Sequence, residues 1–189
     1  MPKLSVFNSE SLDGYFTGPN GDLSWAHSAN ADDAEWAAFV AENAKGEGML
    51  LFGRVTYEMM IAYWPTPAAA KNDPVVADRM NRAKKLVFSR TLDSVSWQNT
   101  TLVKTDPVAK IRELKQGTGP DMVILGSGSI VSQLAKAHLI DEYQVAVLPV
   151  VLGAGRTMFE GMGERLALKR TKARPFNNGN VFVCYEPKT

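Results

Sequence analysis

Short apolar runs alternate with longer segments of helical spacing through the first three quarters of the chain. Residues 49–52 and 122–125 are continuously apolar, which is typical of strands covered on both faces. Apolar side chains then recur every three or four positions from 54 to 63 and from 128 to 137, which predicts a helix after each strand. Similar patterns predict strands at 3–8, 85–89 and 100–104, and helices beginning near 32, 73 and 107. This alternation predicts a largely parallel sheet with helices on both faces.

The pattern changes after Asp141, where strand-like segments follow one another without helices. Strands are predicted at 143–151, 166–174 and 181–185, and Asn177-Asn178-Gly179 predicts the hairpin turn between the last two. Several cations along the 166–174 strand are typical of a protected sheet edge. They are Lys169, Arg170, Lys172 and Arg174. The sequence therefore predicts a three-layer α/β fold, with a mixed, mostly parallel sheet flanked by helices and with C-terminal antiparallel strands.

Composition favours one folded domain that spans residues 1–189. Hydrophobic residues make up 45% and charged residues 22%, a balance typical of globular proteins. The net charge of +1 offers no general attraction for nucleic acid or an anionic membrane. Cys184 is the only cysteine, and no apolar run approaches the roughly 18 residues of a membrane helix. We therefore expect a cytoplasmic protein whose partner is a small molecule.

The segment 53–58 follows a predicted strand and opens a predicted helix. Gly53 ends the strand, Arg54 begins the helix, and Thr56 adds a hydroxyl group. Free backbone N–H groups at a helix N-terminus suit a phosphate, especially beside a guanidinium. The alternative is a tight turn with a solvated arginine.

A second glycine-marked turn, Gly126-Ser127-Gly128-Ser129, lies between the 122–125 strand and the next helix. Glycines would let the backbone approach a pyrophosphate closely, because they carry no Cβ. The turn is not a complete dinucleotide fingerprint, since position 131 is valine where a third glycine is required. A plain strand-to-helix turn is the alternative.

A third cluster, Ser89-Arg90-Thr91, stands at the end of the 85–89 strand, where ligands of open α/β sheets usually lie. One guanidinium and two hydroxyl groups would suit a 2′-phosphate. An ordinary exposed arginine is the alternative.

Two further loops carry candidate substrate contacts. Asp13 comes directly after the first strand, where its carboxylate could reach a ligand, although an Asx turn explains it as well. Gly153 and Gly155 follow the 143–151 strand and could hinge a loop over a ligand. The acidic residues Asp32, Asp33 and Glu35 are better explained as caps of the next helix. The chain has no Walker A, G-x-S-x-G or H-E-x-x-H motif.

Taken in order, five segments resemble the dihydrofolate reductase-like superfamily, in particular the reductase domain of bacterial riboflavin biosynthesis and its stand-alone relatives. The segments that carry the resemblance are Ser11-Leu12-Asp13-Gly14-Tyr15, residues 53–58, residues 89–92, residues 126–129 and residues 139–155. The resemblance covers nearly the whole chain. It implies NADPH as cofactor, a mixed sheet flanked by helices and a homodimer.

For the cofactor, the resemblance places Arg54 and Thr56 near the phosphates and Ser89 and Arg90 near the adenosine 2′-phosphate. The turn from Gly126 to Ser129 would lie under the pyrophosphate. The expected reaction is hydride transfer to a small heterocyclic substrate, such as the phosphoribosylamino-pyrimidine of the riboflavin pathway.

For the substrate, we expect the nicotinamide beside Val6 and Phe7, with the substrate between the Asp13 loop and the loop of Gly153 and Gly155. Asp13 is the expected catalytic residue, and it would hold a polar group of the substrate. The acidic helix residue of true dihydrofolate reductases has no convincing counterpart here, so folate reduction is not expected. Two alternatives remain: a non-catalytic nucleotide-binding module of the same fold, and a flavin-dependent promiscuous reductase.

Overall fold

The computed structural model describes residues 1–28 and 33–188. Its strands are β1 (Leu4–Ser11), β2 (Met49–Gly53), β3 (Lys85–Phe88), β4 (Thr100–Val103), β5 (Met122–Leu125), β6 (Glu142–Leu148), β7 (Leu168–Pro175) and β8 (Val181–Pro187). Its helices are α1 (Ser24–Ser28), α2 (Ala34–Asn43), α3 (Arg54–Tyr63), α4 (Pro67–Asn72), α5 (Pro74–Arg82), α6 (Pro107–Gln116) and α7 (Gly128–Lys136). Among the described residues, every helix is too short or too polar to cross a lipid bilayer.

The strands of the described ranges form one sheet in the order β4-β3-β2-β5-β1-β6-β8-β7. All neighbours from β4 to β6 are parallel, whereas β8 runs antiparallel to both β6 and β7. The predicted fold class is therefore confirmed, including the antiparallel C-terminal strands. The cation-rich strand β7 lies at the sheet edge, as predicted.

Three local predictions about the elements differ from the structure. Strand β6 ends at Leu148, three residues before the predicted end, because Pro149 has no N–H group for the ladder. Strand β1 continues to Ser11, since β6 pairs with it as far as Leu148. Two short helices, α1 and α4, were not predicted; α4 starts where the Thr66 hydroxyl accepts a hydrogen bond from the Ala69 N–H at 3.2 Å.

The two faces of the sheet are covered differently. On the first face, Val6, Leu51 and Ile124 pack with α6 and α7 in one continuous core. On the second face, the buried side chains form two separate clusters. The hairpin cluster consists of Trp36, Phe39, Phe176 and Phe182, and the α3 cluster consists of Phe52, Tyr57, Met80 and Trp97.

Between these two clusters lies the strip of the second face that we call the central groove. It separates the α2 side of this face from the α3 side, and its floor includes Phe7 of β1 and Leu125 of β5. These two residues are paired in register, and both are only half-buried. Of the two residues expected beside the nicotinamide, only Phe7 faces this groove, because Val6 is fully buried on the first face.

Candidate functional site

The sequence-predicted site residues come together at one edge of the sheet. The parallel strands all end at this edge, and their register fixes which ends are neighbours. Gly53 pairs with Phe88, so Arg54 and Ser89 follow adjacent strands. Phe7 pairs with Leu125, and Ser11 pairs with Leu148, so the turn after β5 and the loops after β1 and β6 are also neighbours.

Two buried hydroxyl groups fasten the N-terminus of α3 to the N-terminus of α7. The Gly53 N–H donates to Ser127 Oγ at 2.8 Å, and the Ser127 N–H donates to Thr56 Oγ1 at 3.1 Å. The two hydroxyl oxygens lie 2.9 Å apart, and both side chains are buried. The N-terminal turn of a helix has backbone N–H groups without intrahelical partners, and it carries the positive end of the helix dipole. Two positive helix ends are therefore held side by side at the carboxyl edge.

Contacts within the protein explain the two glycines of the turn Gly126-Ser127-Gly128-Ser129. Gly126 has a φ of +58° and Ser127 a φ of 57°, so the chain enters α7 through a left-handed turn. A Cβ on Gly126 would lie 3.1 Å from Thr56, and one on Gly128 would lie 2.7 Å from the Phe16 ring. Contact of this backbone with a pyrophosphate stays a prediction.

Two arginines flank the joined helix ends on the β3 side. Arg54 forms an ion pair with Glu58 at 2.9 Å in which both side chains are 46% exposed. Such exposed pairs contribute only about 0.3–0.5 kcal/mol, so a phosphate could replace the carboxylate. Arg90 is exposed and has no hydrogen-bond or ion-pair partner within the described ranges. Ser89 Oγ accepts hydrogen bonds from the N–H groups of Thr91 and Leu92 at 3.2 and 3.1 Å.

Asp13 joins the loop after β1 to the loop after β6. Its carboxylate accepts hydrogen bonds from the Ser11 hydroxyl at 2.7 Å, from the Leu152 N–H at 3.1 Å and from the Gly153 N–H at 2.8 Å. The Ser11 hydroxyl, with these backbone donors, lowers the pKa of Asp13 to about 2. Both carboxylate oxygens thus accept hydrogen bonds from the protein. Direct contact with substrate stays a prediction.

The same two loops also pair through their backbones, in a contact we call the clasp. The Phe16 N–H donates to the Arg156 carbonyl at 2.9 Å, and the Arg156 N–H donates to the Thr17 carbonyl at 3.0 Å. Gly155 has a φ of +153°, and a Cβ there would lie 2.0 Å from the Thr17 carbonyl oxygen. Gly155 thus has no room for a side chain, whereas a Cβ on Gly153 would have no atom within 4 Å.

Of the acidic residues expected to cap α2, Asp33 does so, whereas Glu35 contacts the β7–β8 hairpin instead. Asp33 caps the helix by accepting the Trp36 N–H at 2.6 Å. Glu35 accepts hydrogen bonds from Arg174 at 3.1 Å and from the Asn177 side chain at 3.2 Å. Asp32 lies outside the described residues.

Sequence reasoning missed Glu10 near the carboxyl end of β1. Burial raises the pKa of this carboxyl to about 7. No hydrogen-bond or ion-pair partner reaches Glu10 in the part of the chain that the structure describes. The first strand was predicted to end at residue 8, two residues before Glu10. The one signal in the sequence was therefore a charged residue just beyond an apolar strand. Asn8 lies two residues before Glu10 on the same face of β1, and its side-chain amide donates a hydrogen bond to the Gly126 carbonyl at 3.3 Å.

Comparison with solved structures defines the class of protein. The chain matches dihydrofolate reductase from Enterococcus faecalis with a TM-score of 0.66, covering 99% of this chain and 97% of that one at 16% identity. A likeness at this identity shows the fold alone. The chain has the dihydrofolate reductase-like fold, as the resemblance implied.

The sequence comparisons then give the family. A structure from Shewanella sp. PV-4 that is assigned to riboflavin biosynthesis has a TM-score of 0.74, 26% identity and 99% coverage of both chains. The uncharacterized protein YyaP of Bacillus subtilis is 26% identical over 174 residues, which is 92% of this chain and 89% of YyaP. The family model of the RibD C-terminal domain matches residues 2–182. The chain belongs to the RibD C-terminal domain family.

Proposed function

We propose that the protein is an NADPH-dependent reductase that transfers a hydride to a small heterocyclic acceptor. The reference reaction is the reduction of 5-amino-6-(5-phosphoribosylamino)uracil in riboflavin biosynthesis. The observation that carries the proposal is the pair of helix N-termini joined by Thr56 and Ser127, with the exposed Arg90 at the end of the neighbouring strand. Membership of the RibD C-terminal domain family supports it.

The residues at this edge fit a phosphorylated dinucleotide. The joined N-termini of α3 and α7 offer backbone N–H groups and two positive dipole ends to a pyrophosphate, and Arg54 can exchange Glu58 for a phosphate oxygen. Ser89 and Arg90, at the end of the next strand, would take the 2′-phosphate. When bound, the dihydronicotinamide supplies the hydride.

The protein's own part is to orient the two rings and to exclude water from the groove. The nicotinamide would enter the central groove beside Phe7, and the clasp would hold the loops after β1 and β6 together at the carboxyl edge of the sheet. Asp13 acts as a positioning residue, because it holds Leu152 and Gly153 against the loop after β1. It does not donate a proton at neutral pH, since its pKa of about 2 keeps it ionised. We also propose the cytoplasm as location and a homodimer as assembly, on the resemblance alone.

The activity is tested by following NADPH oxidation with pyrimidine, pteridine, flavin and quinone acceptors. We expect acceptor-dependent oxidation with at least one of them. Asp13→Asn should lower turnover and leave the Kd for NADPH unchanged, because the amide nitrogen cannot accept the Gly153 N–H. Saturable NADPH binding without oxidation of any acceptor would favour the non-catalytic alternative. A yellow purified protein with bound flavin would favour the flavin-dependent alternative.

A further inference from the structure

Helix α3 has two flanks that point in different directions. Thr56 faces the turn after β5, since its hydroxyl contacts Ser127. Tyr57 faces the β3–β4 loop, where its hydroxyl accepts the Ser96 N–H at 3.0 Å. Residues four apart on an α-helix are displaced by only about 40° around the axis. Every fourth residue therefore belongs to the same flank.

The flank beside Thr56 carries an exposed apolar stripe. Val55, Met59 and Tyr63 are spaced by four, and their exposed fractions are 67%, 39% and 38%. Met59 lies about 60° from Thr56 around the helix axis, so the stripe borders the central groove on the α3 side. The charged pair Arg54 and Glu58 lies on the other flank, toward the β3 side.

Helix α2 presents an uncharged flank to the same groove. Its acidic residue Glu35 contacts Arg174 and Asn177, so that flank faces the β7–β8 hairpin at the far side of the sheet. The opposite flank faces the groove, and by helical geometry it carries Ala37 and Val40. Together with the floor of Phe7 and Leu125, both walls of the groove are apolar.

The charged residues around the groove are engaged elsewhere within the described part of the chain. Arg156 pairs with Glu160 at 3.0 Å, and Arg174 pairs with Glu35 at 3.1 Å. The Asp13 carboxylate is engaged by backbone N–H groups of the neighbouring loop. An ionic substrate group held between these apolar walls would lose its hydration, and the ion pairs nearby would have to open before either arginine could serve as its partner.

We propose that the central groove takes an uncharged, flat, conjugated carbonyl compound without a phosphate, such as a quinone. The inference rests on the proposed function for the hydride donor, the reduced nicotinamide, and it replaces the phosphorylated pyrimidine acceptor named there by an uncharged ring. In the reaction, the hydride leaves C4 of the dihydronicotinamide with its electron pair and adds to the conjugated ring system. One proton from water completes the reduction. The products are the hydroquinone and the oxidised cofactor, NADP⁺.

The test compares 1,2-naphthoquinone with its 4-sulfonate in the purified full chain, with enzyme-free rates subtracted. We expect kcat/KM for the uncharged quinone to exceed that for the sulfonate by roughly tenfold or more. Met59→Lys should reduce this ratio by roughly tenfold, because the ammonium gives the sulfonate a partner. Val75→Lys, at an apolar position of α5 that is 44% exposed, is the matched control and should leave the ratio unchanged. Equal use of both quinones, or equal ratios in the two lysine variants, would overturn the inference.

A binding experiment separates this inference from the proposed reaction. The isolated protein is titrated calorimetrically, without cofactor, with 2-naphthol and with naphthalene-2-sulfonate. We expect binding of the naphthol, weaker binding of the sulfonate, and a reversed preference in Met59→Lys. Naphthol binding with no NADPH binding would defeat the proposed function while the groove's preference stands. NADPH oxidation with no preference for the uncharged ring would defeat the inference alone.

Discussion

At the scale of single residues, the site depends on side chains whose partners are far away in sequence. Thr56 and Ser127 are 71 positions apart, yet their hydroxyl groups form one buried pair. The sequence could predict that both lie at strand ends. It could not predict that the hydroxyl groups contact each other, because each turn is satisfactorily explained without the other. Thr56 was expected near the cofactor phosphates; its buried hydroxyl joins the N-termini of α3 and α7, and contact with a phosphate stays a prediction.

Thr56→Val should destabilise the protein and weaken NADPH binding together. Valine keeps the shape but removes the acceptor of the Ser127 N–H, so the free energy of unfolding should fall by about 1–3 kcal/mol. Urea unfolding and NADPH titration measure the two effects. Thr101→Val, at an exposed position of β4, is the control and should change neither. An unchanged Kd for NADPH in a destabilised Thr56→Val protein would show that the hydroxyl pair does not contribute to cofactor binding.

Glu10 should make the stability of the protein depend on pH. Burial raises its pKa from 4.5 to about 7, so the folded state favours the protonated form. Its contribution is therefore fully present below pH 4.5 and is lost as the pH rises through 7. Between pH 5 and pH 8 the wild type should lose about 2 kcal/mol more than Glu10→Gln, as measured by urea unfolding at both values. The same loss in both proteins would show that Glu10 titrates normally.

At the scale of secondary structure, apolar periodicity was sufficient where the pattern is regular along the whole element. Strand β5 and helix α3 have the predicted bounds, because continuous apolar runs and helical spacing are unambiguous there. The ends of β1 and β6 were misplaced, since pairing between them extends β1 through polar residues such as Ser9 and Ser11. The loops after these strands were recognised only as glycine-containing segments. Their clasp consists of backbone hydrogen bonds, which leave little trace in the sequence.

Gly155→Ala should open the clasp. The added Cβ would collide with the Thr17 carbonyl in a backbone conformation that favours glycine, so the free energy of unfolding should fall by roughly 2 kcal/mol or more. Turnover should fall as well, because the clasp holds the loop after β1 against the loop after β6. Gly119→Ala provides the control, since no atom lies within 4 Å of its added Cβ and its φ is not positive. Thermal unfolding of the two variants compares them directly, and equal melting temperatures would contradict the geometry of the clasp.

At the scale of the whole molecule, the sequence predicted the order of the strands and helices along the chain. It did not predict which flank of each helix faces the neighbouring elements. The sequence predicted parallel strands, whose carboxyl ends share one edge, and this was enough to assemble the candidate site from separate turns. The central groove depends on which flank of α2 meets the β7–β8 hairpin through Glu35, and that contact joins residues more than 130 positions apart. Substrate class is therefore a property of the assembled sheet and helices rather than of any single motif.

The proposed cofactor site is tested most directly by titrating the protein with NADPH and with NADH, following tryptophan quenching and energy transfer to the reduced nicotinamide. We predict tighter binding of NADPH, and a loss of roughly tenfold in that preference in Arg90→Ala, because the free guanidinium no longer meets the 2′-phosphate. Arg112→Ala, at an exposed position of α6, should leave the preference intact. Absence of saturable binding of either cofactor, or an unchanged preference in Arg90→Ala, would contradict the account.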